Sequence, residues 1–92
     1  MTEKSRGNFA ISVAAAMVGM GIQNLRVYER RGLVDPARTP GGTRLYSESD
    51  IERLRRVREL LADGLNLAGI ARVLVLEDEV HRLRALSARR GA

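Results

Sequence analysis

No cysteine occurs in the 92 residues, and His81 is the one histidine. The first absence excludes a disulfide framework and any thiolate-ligated metal, and both together argue against a metal sensor or a bound cofactor. Tryptophan is missing, and Phe9, Tyr28 and Tyr46 are the whole aromatic complement, so a core must be assembled from Leu, Val, Ile and Ala. No apolar run approaches the roughly 20 residues that span a bilayer, and the charged residues 1–8 are not followed by a signal-peptide pattern. The expected compartment is therefore the cytoplasm, with no membrane partner. Also missing are a nucleophile-base-orienter set, a glycine loop followed by Lys-Ser or Lys-Thr, and paired carboxylates in a cleft, so an enzyme is not expected.

What is present is positive charge. The formal net charge is +5, and of the 16 basic residues all but Lys4 are arginine. Such a balance suits a polyanion, nucleic acid before an anionic membrane surface, and arginine suits bidentate phosphate and guanine contacts. GC-rich codon usage explains the same bias equally well. A chain of this length makes one domain with a thin core, burying only roughly 60% of its unfolded surface.

Residues 1–8 are polar and read as a mobile tail. Phe9-Ala10-Ile11-Ser12 leads into a first helix with Ser12 as N-cap, followed by the Ala-rich run Val13 to Val18, and Gly19 and Gly21 stop it. A second helix is predicted from Ile22 to Arg31, with Ile22, Leu25, Tyr28 and Leu33 on its apolar side and Gly32 just past its end. The opposite face carries Gln23, Val27 and Arg30, flanked by Asn24, Arg26 and Arg31. Two short helices around a glycine-containing turn form a helix-turn-helix, whose second helix enters the major groove.

From Leu33 the helical period disappears. Pro36, Pro40, Gly41 and Gly42 punctuate two short segments that pair as a hairpin, a candidate wing from Pro36 to Tyr46 with Arg38 and Arg44 on either side of its tip. Ser47 to Asp50 reads as a capping box for a third helix buried through Ile51, Leu54, Val57 and Leu61 and ended near Gly64. Asn66 caps a fourth, buried through Leu67, Ile70 and Val73 or Leu74. Arg53, Arg55, Arg56 and Arg58 read as surface charge interleaved with Glu52 and Glu59 and offset by i,i+4 pairing, a phosphate role for one of them being the lesser alternative.

Val73, Leu76, Val80 and Leu83 then recur at spacings of three and four, the seam of a short coiled coil whose continuation fails at Ser87. Two outcomes fit that seam, a homodimer and a helix folded back on its own domain. The predicted fold is thus mainly α with a small β-hairpin: a winged helix-turn-helix, a two-helix bracing unit and a short C-terminal helix. Its organisation is a tail over 1–8, a DNA-binding domain over 9–76, and a C-terminal helix and tail over 77–92 that can dimerise.

The strings Ile11-Ser12-Val13-Ala14-Ala15, Leu25-Arg26-Val27-Tyr28-Glu29-Arg30-Arg31-Gly32-Leu33-Val34, Gly42-Thr43-Arg44-Leu45-Tyr46-Ser47 and Asp50-Ile51 together resemble the DNA-binding domain of the MerR family. Within it, Arg38-Thr39-Pro40-Gly41-Gly42-Thr43-Arg44 and Asn66-Leu67-Ala68-Gly69-Ile70 are most similar to the HspR-like heat-shock repressor subgroup. The resemblance implies a winged helix-turn-helix, dimeric through a C-terminal helix, acting on promoter DNA; no effector domain is expected behind it. By position it implies base contacts from Gln23 and Asn24, contacts to the DNA backbone or adjacent bases from Arg26 and Tyr28, and a wing anchored by Arg44 and Tyr46. The full set expected at DNA is Ser12, Gln23, Asn24, Arg26, Val27, Tyr28, Arg30, Arg31, Arg38, Gly42, Thr43, Arg44 and Tyr46. It further implies repression of chaperone genes, with a DnaK-type chaperone as possible corepressor.

Two other functions fit the residues. An architectural, excisionase-like protein would use the same winged fold to bend DNA. A protein-interaction module would carry its charge incidentally.

Overall fold

The computed structural model describes residues 9–91; the tail expected over residues 1–8 lies outside them. Six elements follow in order: α1 (Ile11–Val18), α2 (Ile22–Arg30), β1 (Ala37–Arg38), β2 (Arg44–Leu45), α3 (Glu48–Ala62) and α4 (Leu67–Gly91). No helix among the described residues is long and apolar enough to cross a membrane.

The start of α1 departs from expectation. Ser12 is not the N-cap; Ala10 is, in extended backbone and without a side-chain cap, and Ser12 stands exposed in the first turn. The cause is long-range. Phe9 and Tyr46 exchange two backbone hydrogen bonds, Phe9 N to Tyr46 O at 2.9 Å and Tyr46 N to Phe9 O at 2.7 Å. This pairing keeps the chain extended up to Ala10, so the helix begins directly behind it. At the other end Gly19 takes φ +70, a conformation that penalises any side chain. The Arg58 Nη1 lies 3.2 Å from where a Cβ on Gly19 would stand, and it donates to the Val18 carbonyl at 3.0 Å.

In α2, Leu25 and Tyr28 are buried as predicted, as is Leu33 beyond its end, but Ile22 is 37% exposed. The apolar stripe reaches the core only from the second turn onward. On α3 the capping box is present: Ser47 Oγ accepts from Asp50 N at 3.0 Å, and Ser47 N donates to Asp50 Oδ2 at 2.9 Å. Its buried face is Ile51, Leu54, Val57 and Leu60, with the expected Leu61 only partly covered. Helix α1 packs on α2 and α3, and α3 packs on α4. One core results, with Ala14, Ala15 and Val18 meeting Leu25, Tyr28, Leu33, Tyr46 and the α3 face, closed by Ile70 and Leu74. Full burial stabilises each of these Leu, Ile and Val side chains by about 1.5–3 kcal/mol.

Asn66 caps α4 as expected, its Oδ1 accepting from Gly69 N at 2.8 Å. The separate short C-terminal helix is not found, because α4 runs unbroken for 25 residues. Nor does it fold back on the domain: Ile70 and Leu74 are buried, whereas Val75, Leu76, Val80, Leu83 and Leu86 are all exposed. Backbone hydrogen bonds within the helix carry it past the point where its packing ends.

Three of the four α3 arginines, expected to be offset by pairing along their own helix, reach partners on other elements. Arg53 donates from Nη1 to Asp78 Oδ2 on α4 at 3.1 Å and from Nε to the Leu33 carbonyl at 2.6 Å. Arg56 reaches Glu77 on α4 at 2.6 Å and Glu59 at 2.8 Å. Arg58 holds the end of α1 as described, while Arg55 is exposed.

Candidate nucleic-acid interface

The outward side of α2 carries Gln23, Asn24, Arg26 and Arg30, all exposed, with Arg31 at its C-cap also exposed. Arg26 Nη1 donates to Gln23 Oε1 at 3.3 Å, linking two of the expected contact residues on one patch. Val27, also expected there, is instead half-buried against the core. Val27 lies between the buried residues Leu25 and Tyr28 and the exposed Arg26 and Arg30, on the margin of the free face. Tyr28 is buried to 6% exposure, with its phenol pushed above the usual range by that burial.

The wing is the antiparallel pair β1 and β2, in register Ala37 to Leu45 and Arg38 to Arg44. Its tip closes through Gly42 N to Thr39 O at 2.8 Å, Thr39 N to Thr43 O at 2.9 Å and Thr43 N to Thr39 Oγ1 at 3.1 Å. Gly42 has φ +88, so the reversal requires a residue without a Cβ. Gly42 and Thr43 are both exposed. Two strand residues a side make a weak hairpin on their own, and the Phe9 pairing extends it at the Tyr46 end.

Helix and wing are joined by a residue to which the sequence analysis gave no role. Glu29, the sole acidic residue of α2, bonds Arg44 Nε through Oε1 and Arg38 Nη2 through Oε2, the latter at 2.7 Å. Arg38 also donates from Nη1 to the Gly42 carbonyl at 3.2 Å. Partial burial opposes charge on Glu29, but the hydrogen bonds and attraction of Arg44 and Arg38 outweigh it and hold the carboxyl below its ordinary range. The same bond raises the Arg44 guanidinium. One acid in an otherwise cationic helix, followed by an arginine-flanked hairpin, was the available signal.

Tyr46 requires a correction as a contact residue. It is 0% exposed, and its ring fastens the wing to the core instead of facing outward. Its phenol is raised, first by burial and then by Glu29, while Arg44 and Arg26 act in the opposite direction. Ser12 is exposed on α1.

The four seam residues of α4 divide. Leu76, Val80 and Leu83 are exposed, at 61% for Leu76, whereas Val73 packs partly against the domain core. Val73 also lines, with Leu76, Glu77, Val80, His81 and Arg84, a shallow groove along the helix.

Residues 9–76 match the family described as MerR HTH family regulatory protein. The chain is 52% identical over 81 residues to a Streptomyces coelicolor protein named for heat shock, HspR, covering 87% of this chain and 54% of that protein. It is 37% identical over 70 residues to the HTH-type transcriptional regulator GlnR of Bacillus cereus, covering 76% and 54%. The chain spans about half the length of these curated relatives. Among solved structures it is similar to the N-terminal part of MtaN, a multidrug transporter activator of Bacillus subtilis, with TM-score 0.69, 27% identity and coverage of 89% and 87%. It shares its fold with HiNmlR, a MerR family regulator lacking the sensor domain and bound to promoter DNA, with TM-score 0.65, 21% identity and coverage of 88% and 74%.

Proposed function

The chain belongs to the MerR family of helix-turn-helix regulatory proteins, and from that premise we propose that it is an HspR-like transcription repressor acting as a homodimer on an inverted-repeat promoter operator. In this reading α2 enters the major groove, where Gln23 and Asn24 meet base edges and Arg26, Arg30 and Arg31 take flanking phosphates. The wing lies along the backbone with Gly42, Thr43 and Arg44 nearest to it, and Ser12 adds a contact from α1. Tyr28, Val27 and Tyr46 hold this surface from behind, and Arg38 shapes the hairpin.

The observation that carries the proposal is the Glu29 bridge from α2 to both wing strands. It ties α2 to both strands of the hairpin, which supports simultaneous contact with a groove and its bordering phosphates. The exposed stripe Leu76, Val80 and Leu83, with Val73 at its base, supports a second copy as the partner of α4.

The 52% identity with HspR supports an operator upstream of chaperone genes, a DnaK-type chaperone as corepressor, and a place of action on the nucleoid in the cytoplasm. The test is to recover genomic fragments with the purified protein and read the sites. Inverted half-sites about one helical turn apart bear the proposal out, and added DnaK should tighten binding. Direct repeats filled head to tail would point to an architectural DNA-bending protein, and no retention of any fragment at low salt would end the DNA-binding reading.

A further inference from the structure

We infer that Glu29 is a positioning residue for DNA binding, and that the two wing arginines it bridges have different tasks: Arg38 builds the hairpin, and Arg44 alone presents a pre-aimed clamp for one phosphate. The inference rests on the DNA-binding reading above and extends it to a residue with the wrong charge for direct contact.

The division follows from which nitrogens are engaged. Arg38 uses both terminal nitrogens inside the protein, Nη2 on Glu29 and Nη1 on the Gly42 carbonyl. One N–H of each terminal nitrogen is therefore committed to holding the tip of the hairpin to α2, which turns the end of its fork toward the protein. Arg44 is held differently. Its bond to Glu29 is made through Nε, and its two terminal nitrogens make no hydrogen bond within the described residues. An arginine gripped at Nε has its guanidinium plane fixed while the edge formed by the terminal nitrogens stays open. That edge supplies the parallel donors that match two oxygens of a phosphate. Arg44 is 27% exposed on its side chain and Glu29 16%, so the pair is partly sheltered while the Arg44 side chain keeps access to solvent.

A carboxylate beside phosphates opposes binding by like-charge repulsion unless its charge is neutralised within the protein. Here two guanidinium groups flank it, so the net local charge stays positive. Ordering Arg44 before DNA arrives also removes an entropy loss that a free arginine would suffer on binding. Two effects of opposite sign therefore meet at Glu29. Removing it adds a positive charge to the surface, which by attraction alone would tighten binding to any duplex. Removing it also releases Arg44, which loosens one phosphate contact. The inference is that the second effect wins.

The experiment measures binding to a random-sequence duplex about three helical turns long by fluorescence anisotropy, between about 50 and 200 mM salt. Variants are Glu29→Ala, Glu29→Gln, Arg44→Ala, Arg38→Ala and the double Glu29→Ala/Arg44→Ala, each checked for folded fraction by circular dichroism. Glu29→Ala should weaken binding about tenfold, the scale of one charge-assisted contact, and lower the salt slope by about 0.9, as Arg44→Ala does. The double variant should bind no more weakly than Arg44→Ala does, because the two act through one contact and only the added positive charge remains. Arg38→Ala should leave the salt slope unchanged. Glu29→Gln keeps an acceptor for Nε and serves where the alanine variant is poorly folded; it should retain the wild-type slope. Glu29→Ala binding as tightly as wild type or more tightly overturns the inference, as do losses that multiply in the double variant. Wild type that fails to bind the duplex at the lowest salt overturns the DNA-binding reading itself.

Discussion

Arg53 donates its Nε to the carbonyl oxygen of Leu33 at 2.6 Å, tying the middle of α3 to the segment where the chain leaves α2 for the wing. The same guanidinium reaches Asp78 on α4 through Nη1. One side chain therefore braces three parts of the domain.

Arg53→Ala should lower stability by about 1–2 kcal/mol, the worth of hydrogen bonds to a charged donor at a partly exposed site. Arg53→Lys should recover little of it, because a single ammonium cannot serve two acceptors set in different directions. Arg55→Ala, at an exposed neighbour, should stay within about 0.5 kcal/mol of wild type. Urea denaturation of the three variants provides the measurement, and equal losses at 53 and 55 would contradict the bracing role.

Acid should weaken the join between helix and wing. The folded carboxyl of Glu29 lies below its ordinary value of 4.5, so on acidification the unfolded chain takes up this proton first. Its stabilisation is then complete above about pH 4.5 and is lost as pH falls through the lower folded value. Glu77, lowered chiefly by its hydrogen bond from Arg56, adds to the same acid limb. Thermal melts from neutral pH downward should show a shallower acid decline for Glu29→Gln than for wild type, and shallower still with Glu77→Gln added. Parallel curves would show that these pairs contribute nothing to the decline.

The Tyr46 hydroxyl is buried without a hydrogen-bond partner among the described residues. Burying such a group costs about 1–3 kcal/mol, so Tyr46→Phe should be neutral or more stable than wild type. Tyr46→Ala should cost about 3–5 kcal/mol through the cavity it leaves. DNA affinity should be unchanged in the Phe variant, since the ring alone fastens the wing. A destabilised Phe variant in denaturation experiments would assign the hydroxyl a partner.

Charge placed on the α4 seam should separate the proposed dimer. Leu76, Val80 and Leu83 are exposed, so Val80→Glu with Leu83→Glu should leave the domain folded while moving the sedimenting species from dimer to monomer. Operator affinity should fall in step, because each monomer then holds one half-site. A wild-type protein sedimenting as a monomer at micromolar concentration would remove the partner from α4.

Sequence alone determined what depends on neighbours three or four positions apart. The helix-turn-helix, the Ser47–Asp50 capping box, the Asn66 cap, the glycine stops and the polar side of α2 were all legible, because helical periodicity and end-capping are local. Tertiary structure decided the rest. Ser12 lost its capping role to a bridge between Phe9 and Tyr46, Tyr46 turned inward, and α4 continued where a shorter helix was expected. The wing arginines were legible as charges, but their division of labour was not, since it depends on which nitrogen meets Glu29 once strand and helix have docked. Arg53, Arg56 and Arg58 carried no local sign of their partners Leu33, Glu77 and Val18, which lie 20 or more positions away along the chain. Side-chain hydrogen bonds at such separations follow from how the backbone packs, and a sequence pattern of charge holds no record of that geometry.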